Sequence, residues 1–401
     1  MEQEAATSLF WISLAMVAAP LLARLVRGRL VPEVVLLLGL GLVIGPFALD
    51  LAGMDPAIGM LRELGLAMLF LLAGYEIDIA ELTGGAGRRA MLTWCLCLAL
   101  AFGAVALLLG DRGSGEKDIA LAIALTSTAL GTLLPILRDG GMLSTPVGAS
   151  VLRHGAFGEL GPIVAIAVAL GARGSVASLV VLTVFVAIVG FLAVVVRRLR
   201  VGESRLRAAL QEGAETTSQL PIRLTMLLLV SLGAVAVAFE LDIVLAAFAA
   251  GFLLRFAIPE GWELIEHKLD GIAYGFLIPI FFVTSGMAID PGAIVAAPAT
   301  FATVIALILL VRGVPVFLAS RFTGPADERF ENRDALSIGF YAATGLPIIV
   351  AVTSVAVDRD LMSTADASLL VAAGAVTVLI CPLLARLVGA PRVTAPEEPG
   401  R

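Results

Sequence analysis

The chain has 401 residues, 59% of them hydrophobic and only 15% charged, with a formal net charge of −6 and a mean hydropathy of +1.01. Soluble domains average about 45–50% apolar and about 25% charged residues, so this composition excludes a sizeable soluble domain and describes a polytopic membrane protein. The net charge therefore says little about partners; the position of each charge carries the information.

The acidic start, Met1-Glu2-Gln3-Glu4, lacks the positive region of a secretory signal, so the first apolar run reads as a retained span. A helical span needs about 20 mostly apolar residues. About thirteen candidates meet that criterion, near 8–25, 31–49, 60–78, 90–110, 118–138, 149–171, 175–196, 222–240, 242–257, 271–289, 295–319, 334–357 and 366–388. The division at Phe239-Glu240-Leu241-Asp242 rests on a very short turn.

Basic residues check the count, because short cytoplasmic loops collect them. With the N-terminus outside, Arg24, Arg27 and Arg29, the pair Arg88 and Arg89, Arg138 and Arg153, and the run from Arg197 to Arg223 fall inside. So do Arg255 and Lys268, Arg321, Arg329 and Arg333, and the arginines from Arg386 onward. The outside keeps Arg62, Arg112, Lys117, Arg173 and Arg359, and Arg312 alone falls well within a span. The alternation predicts a multi-pass cell-membrane protein with its N-terminus outside and its C-terminus cytoplasmic. Cys95, Cys97 and Cys381 all lie in apolar segments at spacings that fit neither a disulfide framework nor a metal site, and read as packing residues.

The longest interruption, Arg197 to Ile222, reads as a cytoplasmic linker between two halves of about six spans, with the seventh span as connector. An offset of seven spans reverses orientation, so the halves would be inverted repeats, the arrangement of secondary transporters with sites near the midplane. Two matched spans carry paired interruptions. Span five holds Thr126, Ser127 and Thr128 followed by Gly131 and Pro135; span twelve holds Thr344, Gly345 and Pro347. Proline removes a backbone donor and glycine lowers the cost of unwinding, so both spans are expected to be discontinuous. The competing reading is ordinary Gly, Pro and Thr usage in membrane helices.

Between them lies the stretch Arg153-His154-Gly155-Ala156-Phe157-Gly158-Glu159, which sets a carboxylate mid-span. Intramembrane acids are costly and mark ion or proton pathways; the alternative for Glu159 is a static ion pair with Arg312 or Arg153. His154 is a candidate pH sensor, although interfacial histidines without such a role are as common. Glu76 and Asp78 end span three; solvation explains them, and Glu76 also fits an intracellular ion funnel.

Several stretches resemble one family, the monovalent cation:proton antiporters, in the branch that includes bacterial sodium/proton exchangers and potassium efflux transporters. Val31–Pro46 (VPEVVLLLGLGLVIGP) resembles the family's second-span signature, Leu64–Asp78 (LGLAMLFLLAGYEID) its third, and Pro279–Asp290 (PIFFVTSGMAID) a further hallmark. With span five they follow family order and spacing over most of the chain.

The resemblance implies an all-α fold of about 13 helices in two inverted repeats, with two crossing discontinuous helices. It implies a scaffold bundle (1–80 and 222–290) that forms a homodimer and a sliding core bundle (89–172 and 295–390). Residues 173–221 would connect the halves and 391–401 would form a short tail. The family's essential acid falls at Glu159; where relatives have Asp preceded by Asp, Asn or Gln, this chain has Glu preceded by Gly158.

On this reading Glu159, with the hydroxyls of Thr126, Ser127, Thr128 and Thr344 and carbonyls freed by unwinding, binds sodium or potassium in exchange for a proton. Burial favours the neutral acid and a nearby cation favours the carboxylate, and the two together tune the exchange. Arg312 would pair with Glu159 or balance the dipoles of the broken helices; its alternative is snorkelling toward the cytoplasm. No cofactor is expected beyond the transported ions, no nucleic acid binds, and no nucleotide-binding regulatory domain is expected in this chain. No enzyme constellation is present. Two other functions fit the features less well. One is a sodium-coupled organic-anion carrier of related fold; the other is a non-transporting membrane sensor or partner protein.

Overall fold

In hydrocarbon every backbone N–H and C=O must be satisfied internally, and long apolar runs do this as helices. In the computed structural model every regular element among the described residues is helical. The structure describes residues 2–25, 31–76, 82–108, 115–139, 141–169, 182–194, 219–239, 241–257 and 263–389. The predicted tail lies outside these residues, as does most of the predicted linker.

The first half contains α1 (Glu2–Leu25), α2 (Glu33–Ile44), α3 (Pro56–Glu76), α4 (Gly84–Leu108), α5 (Gly115–Leu125), α6 (Leu130–Asp139) and α7 (Pro146–Ala169). A short apolar helix, α8 (Leu182–Val194), follows. The second half has α9 (Leu220–Ala238), α10 (Ile243–Ala257), α11 (Glu263–Ile272), α12 (Ile278–Met287) and α13 (Pro291–Ala296). It ends with α14 (Pro298–Ile308), α15 (Val314–Phe322), α16 (Asn332–Ala342), α17 (Leu346–Asp358) and α18 (Thr364–Val388). Single π-turns, Ala273–Leu277 and Leu309–Gly313, join α11 to α12 and α14 to α15. Ten helical stretches among the described residues are long and apolar enough to cross a membrane, while α2, α8 and α10 are shorter apolar helices.

Local chemistry explains where the helices depart from the expected spans. The second span, expected over 31–49, is helical only to Ile44. Gly45 and Pro46 follow it, and the chain folds back so that Leu51 and Ala52 donate to the Ile44 carbonyl. The span expected at 295–319 begins at Pro298, whose fixed φ suits a first helical turn. The short turn before α10 is real: Asp242 Oδ1 accepts from the Val244 N–H at 2.9 Å and caps that helix.

Packing sorts the helices into two groups. In one, α3 lies along α10 and α12, α2 along α12, α9 along α10, and α1 on α2. Glycines make the two tightest pairs possible. A Cβ at Gly41 or Gly286 would strike the facing backbone of α12 or α2, and one at Gly74 or Gly251 would do the same between α3 and α10. Small residues at a crossing let membrane helices approach closely. In the other group α18 packs on α14, α16 and α17, α7 on α4 and α16, and α5 on α4 and α17. The groups meet where α3 touches α6, α10 touches α7 and α2 touches α18.

Candidate ion site at the crossing of two interrupted helices

The chain between α5 and α6, Thr126 to Ala129, is not helical, and neither is Ala343 to Gly345 between α16 and α17. Unwinding frees backbone groups, and each broken strand satisfies the other. Ala129 donates its N–H to the Thr344 carbonyl at 2.8 Å, and Thr128 donates its N–H to the Gly158 carbonyl of α7, also at 2.8 Å. The Ser127 hydroxyl reaches the Gly345 carbonyl at 3.2 Å, and the Thr128 hydroxyl bonds the Ala342 carbonyl. Gly345 is needed at this contact, because a Cβ there would overlap Ser127 Oγ.

The breaks sit earlier than the sequence pattern placed one of them. Gly131 and Pro135 both lie inside α6, after the interruption, and are not the breaking residues. The physical reason is local competition. Thr126 and Ser127 donate to the Ile123 and Ala124 carbonyls at 2.8 and 2.7 Å, drawing the end of α5 into a tight turn. In the second span Gly345 precedes α17 as its N-cap and Pro347 occupies its first turn, where a missing N–H costs nothing.

All four hydroxyl residues proposed as ligands are buried, and each hydroxyl hydrogen is committed to a carbonyl. Thr344, for example, donates to the Tyr341 carbonyl at 2.7 Å. The oxygen lone pairs of Thr126, Ser127 and Thr344 remain available as acceptors, while Thr128 Oγ1 already accepts one bond, from Arg312.

Glu159 lies on α7 and is 3% exposed. Its Oε2 is buried without a hydrogen-bond partner. The Leu130 backbone N–H acts on its carboxylate, and Leu130 is the first residue of α6. A helix N-terminus presents unsatisfied N–H groups and the positive end of its dipole, so this edge of the crossing suits a carboxylate.

Arg312 sits in the π-turn between α14 and α15 with no exposure to solvent. Its Nε donates to Thr128 Oγ1 at 3.0 Å, its Nη2 to the His154 carbonyl at 2.6 Å, and its Nη1 to Cys97 Sγ at 3.7 Å. This differs from both simple expectations. The guanidinium does not snorkel, and among the described residues no ion pair joins it to Glu159. It pins three helices to the unwound segment, with its charge near the C-terminal, negative ends of α5 and α16.

That seat explains the glycine before the acid. A Cβ at Gly158 would overlap Arg312 Nη2 and Thr128 Oγ1. In this packing a side chain at 158 requires Arg312 or Thr128 to move.

His154, expected near the interface, is 7% exposed, and its Nδ1 has no hydrogen-bond partner. It also borders a cavity of about 1270 Å³ whose lining includes Arg89, Arg153, Arg329, Arg333 and Ser337. That cavity does not reach Glu159. The sequence reading missed the role of Cys97 as an acceptor for Arg312, since nothing in an apolar run marks which sulfur will face a cation. It also missed Tyr274, which lies in the first π-turn within electrostatic reach of Glu159.

The model of the sodium/hydrogen exchanger transmembrane family matches residues 12–388. The chain belongs to the sodium/hydrogen exchanger family. As a member it is a multi-pass membrane protein. Among relatives of this chain, YjbQ of Bacillus subtilis (strain 168) is 24% identical over 376 residues, 88% of this chain and 58% of that protein. The "Probable Na(+)/H(+) antiporter GerT" of Bacillus cereus is 24% identical over 323 residues, 77% of this chain and 80% of GerT. The glutathione-regulated potassium-efflux system protein KefC of Salmonella typhi is 26% identical over 330 residues, 80% of this chain and 51% of KefC. The chain thus spans little more than half the length of YjbQ and KefC.

The sodium proton antiporter MjNhaP1 from Methanocaldococcus jannaschii has the same fold. Its solved structure covers 95% of this chain and 96% of its own at a TM-score of 0.64 and 18% identity.

Proposed function

We propose that this exchanger moves sodium or potassium against protons with Glu159 as the shared carrier. One observation carries the reading: a carboxylate 3% exposed, with an unpartnered oxygen, at the crossing of two interrupted helices. The carboxylate binds a proton or a metal ion but not both, so alternating access couples the two fluxes. Thr126, Ser127, Thr128 and Thr344 contribute oxygen lone pairs and unwound carbonyls to a hard monovalent ion. Arg312 balances the carbonyl ends of the crossing and fixes its geometry. GerT and KefC, one named for sodium and one for potassium, support the choice of cargo class.

The two helix groups correspond to a scaffold (1–80 and 222–290) and a mobile core (89–172 and 295–390). The core slides as an elevator past the scaffold. Equivalent glycine packing of α2 on α12 and α3 on α10 supports two inverted repeats in thirteen spans, since a seven-span offset interconverts these pairs. The scaffold forms the homodimer, with the N-terminus outside and the C-terminus cytoplasmic. In proteoliposomes holding a pH-sensitive dye, added sodium or potassium dissipates an imposed pH gradient, and Glu159→Gln abolishes this while the protein stays folded. Normal exchange by that variant would refute the assignment.

A further inference from the structure

A cavity of about 1270 Å³ lies wholly in the helix group that carries Glu159, and the ion site does not use it. Its walls are the start of α4, the link from α6 into α7, the end of α15, the link into α16 and the end of α18. Glu328, Arg329, Glu331 and Arg333 at its rim are exposed, so it opens at the face that the arginine pattern assigns to the cytoplasm. Glu76, the acid that ends α3, belongs to the other helix group and takes no part, and Asp78 lies outside the described residues. A cleft filled with water is the ordinary reading of such a space. Three features go beyond it.

The first lies at its floor. Ser320 on α15 and His154 on α7 both line the cavity and are both 7% exposed, and Ser320 Oγ and His154 Nδ1 have no hydrogen-bond partner. Buried polar atoms are normally paired, and one left over asks for a water, an ion or a ligand. Here two of them border the same space.

The second is charge. Among the described residues the lining carries Arg89, Arg153, Arg329 and Arg333 against Glu328, Glu331 and Asp334. Arg89 is paired with Glu328, and Arg329 gives its Nε to the Gly324 carbonyl at 3.0 Å, so both guanidiniums are held in place before any ligand arrives. Arg312, Arg153 and Arg89 all act on the His154 ring, which concentrates positive charge at the floor. The exposed Glu328 and Glu331 and the half-buried Asp334 oppose a long polyanion at the rim, so the floor favours a small anion.

The third is backbone. Helices α7 and α16, of 24 and 11 residues, both begin at this cavity. A helix start offers N–H groups and a positive dipole end to an anion. Thr145 Oγ1 accepts the Gly148 N–H at 3.1 Å on α7, whereas α16 has no side-chain cap at Glu331. The carbonyl ends of α15 and α18 lie here too, but backbone bonds close them. Thr323 and Gly389 donate to the Ala319 and Ala385 carbonyls at 3.0 and 2.9 Å, and Phe330 donates to the Ser320 carbonyl at 3.1 Å.

Guanidinium forks match the oxygens of a phosphate group. Sites for small organic ligands run to about 300–1,000 Å³, so the space admits more than a bare ion, and Asp334 can accept from hydroxyls on the rest of the molecule. We propose that this cavity binds a small phosphate monoester carrying hydroxyl groups, and that the bound anion acts on the ion site through His154. That residue lines the cavity with its side chain, while its carbonyl accepts from Arg312 Nη2 at 2.6 Å. A shift of α7 at this point is passed to the guanidinium that fixes the unwound segment. The binding stands alone; the coupling rests on the reading of Glu159 as carrier.

The test takes the purified full chain with glycerol 3-phosphate as probe, and glycerol with potassium chloride at matched ionic strength as control. The unfolding midpoint rises with probe concentration and not with the control. Arg333→Gln, at an exposed position, raises the apparent Kd by about tenfold, as for a charged hydrogen bond lost, and Ser320→Ala raises it in the same sense. An equal Kd in wild type and both variants overturns the site, as does the lack of protection by glycerol 3-phosphate and by phosphatidic acid in nanodiscs. Protection by that lipid, lost in the same variants, supports a lipid headgroup as the source of the phosphate; protection by glycerol 3-phosphate alone supports a soluble one. In proteoliposomes, probe on the side of the cavity shifts the apparent KM for sodium or potassium by about fivefold at saturation. Half of that shift falls at the wild-type Kd, and at about tenfold higher concentration in Arg333→Gln. An unchanged KM in a protein that binds the probe overturns the coupling through His154. Absence of exchange with and without probe sinks the reading of Glu159 and leaves the binding site standing.

Discussion

Arg312 donates from Nε to the Thr128 hydroxyl at 3.0 Å across 184 residues of sequence, and that hydroxyl in turn donates to the Ala342 carbonyl. A single side-chain chain of hydrogen bonds therefore links the π-turn before α15 to both interrupted segments. The guanidinium uses its fork on three acceptors at once, a geometry an ammonium cannot reproduce. Arg312→Lys is expected to lose about 1.5–3 kcal/mol of stability from charged hydrogen bonds left unmade. Thr128→Val should couple to it, so that the double variant loses less than the sum. Thermal unfolding in detergent of the four proteins in that cycle measures the coupling; strict additivity would mean the two side chains act separately.

Gly158 is packed against the same guanidinium. Adding a methyl group in a filled core costs about 1–3 kcal/mol, so Gly158→Ala should lower the unfolding midpoint and impair exchange. Gly158→Asp, which restores an acid before Glu159, should be worse on its own than Gly158→Ala. It should regain stability when Arg312 is shortened to alanine. The thermal midpoint of that double variant against the Gly158→Asp single variant checks this, and a stable, active Gly158→Asp single variant would contradict the packing argument.

The proposed role of Glu159 as shared carrier predicts a pH signature, because proton and cation then compete for one carboxylate. As pH falls, more of the carrier holds a proton, so the apparent KM for sodium or potassium must rise. In the proton-dominated range it rises by about tenfold per pH unit, with the maximal rate preserved. Initial rates over a matrix of pH and cation concentration test this. A maximal rate that collapses while KM stays flat would point to separate sites for the two ions.

Arg62 of α3 donates from Nη2 to Ser354 Oγ of α17 at 2.8 Å, which joins the two helix groups at the end of the molecule away from Glu76. A core that slides must break this bond each cycle. A partly buried hydrogen bond of this kind contributes about 0.5–1.5 kcal/mol. Ser354→Ala should therefore speed hydrogen–deuterium exchange near the C-terminal end of α17 by a few-fold on the order of RT ln arithmetic. Exchange that is the same in variant and wild type would mean the contact does not hold the groups together.

Much of this molecule was legible in its residues. Composition alone excluded a soluble fold, and apolar runs marked helices because hydrocarbon leaves the backbone no other partner. Gly345 and Pro347 pointed to the second interruption, and an acid in an apolar run singled out Glu159. The first interruption was misplaced, since Gly131 and Pro135 advertise a break that the Thr126 and Ser127 hydroxyls make earlier.

What the residue order determined, then, is everything that depends on periodicity, burial and the cost of a charge in lipid, for these act along the chain. Which groups meet was decided by tertiary packing. Arg312 turned out to bind Thr128 and the His154 carbonyl instead of Glu159, Gly158 proved to be the space that seats it, and Glu159 came to lie at the first residue of α6, Leu130. Hydrogen bonds and electrostatic pairs fall off within a few ångströms, and only the folded helices bring residues this far apart in sequence within that range.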